Sequence, residues 1–525
     1  MKRYLPFAAL FVGLVMDVLF WKKAPGISFT IFIILCLALG FWLLHLQHIR
    51  PARNTFFLLI PILIFCILTF VRKDPLTTFL NYVLTLFSVA VLAMTFRSGN
   101  WIAFKLHDYL ANFFQLIGSL FVHPKDLDTQ ADSQQAVENP APNRKPFLSI
   151  LRGILLALPV LFIFTLLLSS ADMVFAQKLD DLFANFRMEN IGEYLFRGSY
   201  ILLSAYFFIG LIRHAAARSQ QEKLINADKS LFSPFLGFTE SSIILGSVIL
   251  LFSVFVTVQF RYLFFGESNI TLTGFTFSEY ARRGFGELVA VAVFSLLLLQ
   301  GLGAITKHEN KLQKKIFSIL MIGLVATVLI ILVSAFKRLL LYESAYGFSE
   351  LRTYAHVFMI WLGILLVAVL IFEITEHQRG FANLALIVLI GFTVTLNILN
   401  VDAFITRQNI NRAIQGEDLD VAYLAALSED AVPAMVKAYS SDTIPLATKD
   451  EIGAALVCHA ALDDTESSQT KPWQSFHLST WRAESALEEI KGNLAEYQVQ
   501  EDEWPITVIS STYIEYTCQA STFFD

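Results

Sequence analysis

Ile316–Phe336 reads IFSILMIGLVATVLIILVSAF, twenty-one residues without a charge, with Lys314-Lys315 before it and Lys337-Arg338 after it. A helix of about 20 mostly apolar residues spans the ~30 Å hydrocarbon core of a bilayer. Ten further runs have this character: Tyr4–Phe20, Ile27–Leu46, Thr55–Val71, Leu76–Phe96, Ile150–Ser170, Tyr194–Ile212, Ser241–Phe260, Gly284–Ile305, His356–Phe372 and Phe381–Leu399. The reading is an all-α polytopic membrane protein of about eleven transmembrane helices with a small α-rich soluble C-terminal domain. Pro6, Pro61 and Pro159 fall inside spans, where neighbouring helices satisfy the freed carbonyls.

Composition agrees. The chain is 55% apolar and 16% charged, whereas soluble domains sit near 45–50% and about 25%. A net charge of −5 points to no nucleic-acid partner; the bilayer is the partner this composition requires. Lys2-Arg3 before an apolar run resembles a signal peptide, but no small-x-small site precedes Trp21-Lys22-Lys23, so it reads as an uncleaved first helix.

Trp101–Val122 differs from the spans. Lys105, Asp108, Asn112, Gln115 and Ser119 recur at three- and four-residue steps and form one polar stripe. It reads as an interfacial amphipathic helix, with a twelfth span as the other possibility. The expected organisation is an N-terminal membrane region over 1–122, a disordered loop over 123–147, a membrane core over 148–400 and the soluble domain over 401–525. Lys and Arg number 19 on the face carrying the N-terminus, 13 on the opposite face and 7 in the tail, 39 in all. That excess puts the N-terminus in the cytoplasm, and eleven spans then put the C-terminal domain outside.

Span parity brings a set of polar residues to one face. Arg261, Tyr262, Tyr280, Arg282, Arg283, Glu287, Arg338, Tyr342, Glu343, Tyr346, Arg352, His356 and Asp402 are the candidate ligand-binding residues. Lys337, Glu350, Tyr354, Asp172, Glu193 and Arg197 lie near them. Charges at span ends face a wet cavity or pair with one another, so the set is either a chamber or a belt of interfacial anchors. In the chamber reading, Arg forks onto phosphate or carboxylate. No HExxH, GxSxG or phosphate-loop pattern occurs, so no cofactor or metal is expected and no catalytic residue is assigned. Glu287, Glu343 and His356 are the available acid/base types. Three functions stay open: a binding or transport protein for an anionic lipid-like or envelope-precursor molecule at the outer face, a membrane-embedded transferase acting on such a lipid, and a sensor or assembly factor whose external domain binds a protein. Asp17 is the one conspicuous charge deep in a span.

Several stretches in order resemble a known group: Ser170-Ala171-Asp172, Gln259–Gly266, Tyr280–Glu287, Arg338–Arg352, Asn400–Phe404, Asn409 with Asn411-Arg412, and Tyr423–Pro433. The chain resembles a bacterial multi-pass membrane-protein family catalogued as domain of unknown function forty-one seventy-three. The resemblance runs from the fifth span to the start of the tail. It implies a bacterial cytoplasmic-membrane location and carries no established activity.

Of four Cys, Cys36 and Cys66 sit in apolar runs, while Cys458 and Cys518 lie in the tail. An even pair in an oxidising compartment favours a disulfide. Two separate buried thiols are equally compatible with the spacing.

Overall fold

The computed structural model describes residues 4–121, 191–219, 234–264, 285–375, 380–466, 472–500 and 505–518, a few single positions apart, and scattered positions between 157 and 178. Among them, nine helices are long and apolar enough to cross a membrane, and Leu5–Phe20 is a shorter apolar helix. Most of the run expected at 150–170, and the loop expected at 123–147, lie outside the described residues. The chain divides into two compact units: Met1–Phe56, Ala90–Gly99 and Asn112–Glu222 form one, and Phe57–Val89, Asn100–Ala111 and Lys223–Asp525 the other.

In the first unit, α1 (Leu5–Phe20) packs along α6 (Ile191–Ala217) and against α2 (Ile27–His45). Gly13 sets the α1–α6 distance, because a Cβ there would stand 2.4 Å from the Ile201 carbonyl oxygen. One turn on, Asp17 takes both arms of the Arg197 fork, Nε at 3.0 Å and Nη2 at 2.5 Å. Glu193 accepts from Trp21 Nε1 and Lys22 Nζ, each at 2.9 Å. The charge that stood out on the first span is therefore half of a helix–helix clamp. A fork-on-carboxylate pair is the geometry by which a span carries a charge without exposing it to lipid.

Helix α5 (Leu106–Phe121) follows a short 3-10 turn over Asn100–Ala103. Its polar stripe points into the protein: Asp108, Asn112 and Ser119 are buried, while Leu106, Leu110, Phe114 and Phe121 are exposed. Ser119 Oγ sits 2.8 Å from His214 Nδ1 on α6. A helix on a water surface would turn the stripe outward. Here the hydrocarbon-like side faces away from the protein, as lipid contact requires.

In the second unit, α7 (Phe238–Phe264), α8 (Phe285–Ile305), α9 (Lys311–Tyr346) and α10 (Glu350–Ile374) share one apolar core around Leu245, Leu299, Leu324, Ile331 and Leu366. With 36 residues, α9 is about 54 Å long at 1.5 Å per residue, longer than a hydrocarbon core. Its last turns thus lie beyond the apolar stretch and carry Arg338, Tyr342 and Glu343. Helix α11 (Phe381–Leu399) packs on α10, and α4 (Pro75–Met94) follows α3 (Leu59–Val71).

Asn400, at φ 53°, caps α11 and turns the chain straight into α12 (Val401–Ile414). Asn tolerates this left-handed conformation better than other non-glycine residues. Next come α13 (Val421–Ala426), α14 (Val432–Tyr439), α15 (Leu446–Glu466) and α16 (Leu478–Leu494). A three-stranded antiparallel sheet closes the chain: β1 (Gln498–Gln500), β2 (Thr507–Ile509) and β3 (Glu515–Thr517). Val499 pairs Val508 and Val508 pairs Tyr516, so buried Val508 packs toward α15. The apolar core of this part includes Tyr354 and Val357 of α10 and Leu396 of α11. Cys458 on α15 and Cys518 after β3 are joined as a disulfide, their Cα atoms 5.2 Å apart, inside the ~7 Å limit for a bridge.

Candidate carboxyl site at the span ends

Three of the polar side chains in the first two turns of α10 point two ways. Glu350 and Tyr354 are four residues apart and share a face, whereas His356 is about 200° round from Tyr354. His356 therefore turns toward α9, where its Nδ1 lies 2.9 Å from Glu343 Oε1 and Phe336 packs edge-on against its ring. Glu350 and Tyr354 turn toward α12 and the α3–α4 connection.

On that second face three carboxyls converge. Asp402, in the first turn of α12, is fully buried. Its Oδ2 accepts from Ser428 N at 3.0 Å and from Ser428 Oγ. Oδ1 receives no N–H or O–H donor among the described residues. The side chain instead lies within hydrogen-bond reach of the Glu350 carboxyl, a contact that becomes a bond only when one of the two carries a proton. Glu350 also reaches Tyr354, whose hydroxyl donates to Asp74. Thr77 donates to the other Asp74 oxygen and closes the N-terminus of α4. The Glu350 N–H donates to Tyr423 Oη at 2.9 Å.

None of the three carboxyls makes an ion pair among the described residues. The nearby cations have other partners. Arg72 is paired with Asp430 at 3.2 Å and donates to the Asn397 carbonyl, and Lys73 pairs with Glu429. Burial, then the charges of Glu350 and Asp74, hold Asp402 well above the usual carboxylate range. Burial raises Asp74 as well, with the Asp430 charge adding to it and the Thr77 and Tyr354 bonds only partly offsetting it. Like charges packed this closely do not all ionise together, so the cluster retains a proton under conditions where an exposed carboxyl has lost its own.

The neighbouring corner between α9 and α10 explains other candidates. Gly347, at φ 80°, ends α9, and a Cβ there would meet Arg412 Nη1 at 2.4 Å. Asn409 bonds both ways to Phe348, accepting from its N at 2.8 Å and donating to its O at 2.9 Å. Arg412 donates to the Ser344 carbonyl. Arg352 donates to the Tyr346 and Gly347 carbonyls and stacks 4.1 Å from the Tyr342 ring. The Arg352 guanidinium and the Tyr342 ring thus hold a chain reversal, with the Tyr346 ring packed edge-on against Tyr342.

Arg338 is buried, and Glu287 is exposed at the start of α8. The backbone of Arg261 and Tyr262 continues α7; their side chains, and all of Tyr280, Arg282 and Arg283, lie outside the described residues. Among the described residues no group of three His, Cys, Asp or Glu is arranged to hold a metal ion.

The structure thus brings Glu343 to His356, and Asp402 to Glu350 and Tyr354. Sequence reasoning named none of Asp74, Tyr423 and Ser428 as a site residue. Asp74 was reachable, since the loop after the third span has the same parity as the ends of the seventh, ninth and eleventh. Tyr423 and Ser428 lie in a stretch marked by the resemblance, but span parity does not place them, because they arrive through the fold of the tail. No curated protein and no solved structure matches the chain. A family model, described as a domain of unknown function, matches residues 59–438. It takes in the third and fourth spans, which the resemblance left out, and its catalogue number is 4153 where the resemblance gave forty-one seventy-three. With most of its length inside that match, the chain belongs to the DUF4153 family, an uncharacterised family whose member here is a multi-pass, all-α membrane protein.

Proposed function

We propose that the protein is a membrane binding or transport protein whose working groups are the Asp74, Glu350 and Asp402 carboxyls, and that this site takes up and releases a proton as the protein works. The observation that carries this reading is the Glu350–Asp402 contact: two carboxyls within hydrogen-bond reach, one fully buried, neither in an ion pair among the described residues. Such a pair holds one proton between its members and gives it up when either is re-solvated. Tyr354 links the pair to Asp74 and extends the site to the start of α4. The surroundings suit a proton better than an anion. The candidate Arg352, and Arg412 beside it, are bonded to backbone carbonyls.

An anionic lipid-like or envelope-precursor ligand, bound at the outer face of a bacterial cytoplasmic membrane, draws its support from Arg261, Arg282 and Arg283. In that arrangement the N-terminus is cytoplasmic and the C-terminal part outside, and proton release at the carboxyls accompanies ligand movement. A transferase reading has one observation in its favour, the His356–Glu343 pair at 2.9 Å, since a carboxylate that orients an imidazole is the usual support of a general base.

Infrared difference spectroscopy of the protein in lipid nanodiscs tests the proton reading. Raising the pH should remove a protonated-carboxyl band in the wild type; Asp402→Asn should reduce that band to the smaller component from Asp74, and Glu350→Gln should shift it. A wild-type spectrum with no titrating carboxyl, or a band unchanged in both variants, sinks the proposal.

A further inference from the structure

The C-terminal part is pinned to the end of a span. Asp430 and Glu429, just before α14, pair with Arg72 and Lys73 at the end of α3, and α16 packs against both α14 and α3. Residues on the outward side of α3, among them Ile60, Leu63, Ile64 and Ile67, are exposed, as befits a lipid-facing helix. The start of α16 and the turn before it present three aromatic side chains that the protein leaves uncovered: Trp473 at 59%, Phe476 at 39% and Trp481 at 54% exposure. The interior of the same element is packed, with Gln474, Ser479 and Ala483 buried. The exposed rings are therefore on an ordered surface and not on a frayed end.

We infer that Trp473, Phe476 and Trp481 form a membrane-interface anchor that seats the C-terminal part on the headgroup layer beside α3. Trp prefers that layer, since its ring is apolar and its N–H finds a partner among headgroups and water. Helix α16, which carries Trp481, packs on α3, a span whose exposed side chains are apolar. This inference is independent of the carboxyl reading, since it uses neither its residues nor its chemistry. Seated this way, α16 and α14 fix the height of the 428–430 turn above the bilayer, which ties the carboxyl site to the membrane surface.

The full-length protein in nanodiscs of phosphatidylcholine brominated near the headgroup end of the chain tests the anchor. Subtracting the tryptophan emission of W473F/W481F from that of the wild type isolates these two rings. In brominated discs this difference emission should lose most of its intensity relative to plain discs, and aqueous iodide should quench it weakly. Should the double variant fail to fold, the single Trp473→Phe and Trp481→Phe proteins give the same subtraction one ring at a time. Difference emission equal in plain and brominated discs, with full quenching by iodide, overturns the anchor and leaves a water-soluble protein as the occupant of this surface.

Discussion

Asp402 gives the sharpest test of the carboxyl site, because two substitutions there have opposite consequences. In Asp402→Asn the amide oxygen still accepts from Ser428 N and Oγ, and the new Nδ2 donates to Glu350 where the shared proton stood. Every contact survives. In Asp402→Ala the Ser428 N–H, fixed by the backbone and half-buried, loses its acceptor. An unsatisfied buried donor costs about 1–3 kcal/mol, and the vacated volume adds to it. The pH dependence separates the wild type from Asn. The Asp402 pKa is raised in the folded protein, so folding binds a proton that the unfolded chain, with an Asp near 3.9, has lost. Stability from that proton is complete below the unfolded value and disappears as pH rises through the raised folded one. Asn stays neutral throughout, so the variant should match the wild type in mild acid and exceed it in alkali. A smaller slope should remain from Asp74, which is raised in the same direction. Thermal unfolding in nanodiscs across that range is the assay. An Asn variant as unstable as Ala in mild acid, or one whose profile runs parallel to the wild type, would refute the proton-sharing geometry.

Two more outcomes follow from other parts of the molecule. Thiol labelling of the denatured protein should find two more reactive groups with reductant than without it, and Cys458→Ser should lose up to about 4 kcal/mol for a loop this long; equal labelling would remove the bridge. At α1–α6, Asp17→Asn and Arg197→Gln should each lower folded yield more than the double variant does, because a single change leaves a charge without its partner, and simple additivity would count against the clamp.

The helices were legible because lipid imposes one rule along the chain, about 20 apolar residues per crossing, and the spans obey it. Their ends were harder to place. The Ile316–Phe336 run ends at Lys337, but the helix continues to Tyr346, since hydropathy reports where lipid stops and not where backbone bonding stops. The polar stripe of Leu106–Phe121 had the right period, and only its direction was hidden: a pattern gives the existence of two faces, not which medium each meets. At the site, gathering charges by parity put Glu350, Tyr354, His356 and Asp402 on one end of the bundle. It did not show that His356 turns to Glu343 while Tyr354 turns to Asp74, which depends on how α10 is rotated. Nor did it separate Arg352, held in a chain reversal by carbonyls and a Tyr ring, from a cation free to take a ligand.

The boundary of the family match sharpens the division of labour. It ends at 438, one residue before the end of α14. Asp74, Glu350, Tyr354, Asp402, Tyr423 and Ser428 all fall inside it, whereas α15, α16, the sheet and the disulfide fall outside. Yet α15 supplies Ile452, Ala455 and Leu456 to the core shared with α12, α13 and α14, and His459 beside Cys458 bonds the Ala425 carbonyl at 2.9 Å. Ala425 is three residues from Ser428, the donor that holds Asp402. The segment beyond the family match therefore supports the carboxyl site from behind, through core packing and the His459–Ala425 bond. Its loosening should alter how easily Asp402 meets water while leaving every side chain of the site in place.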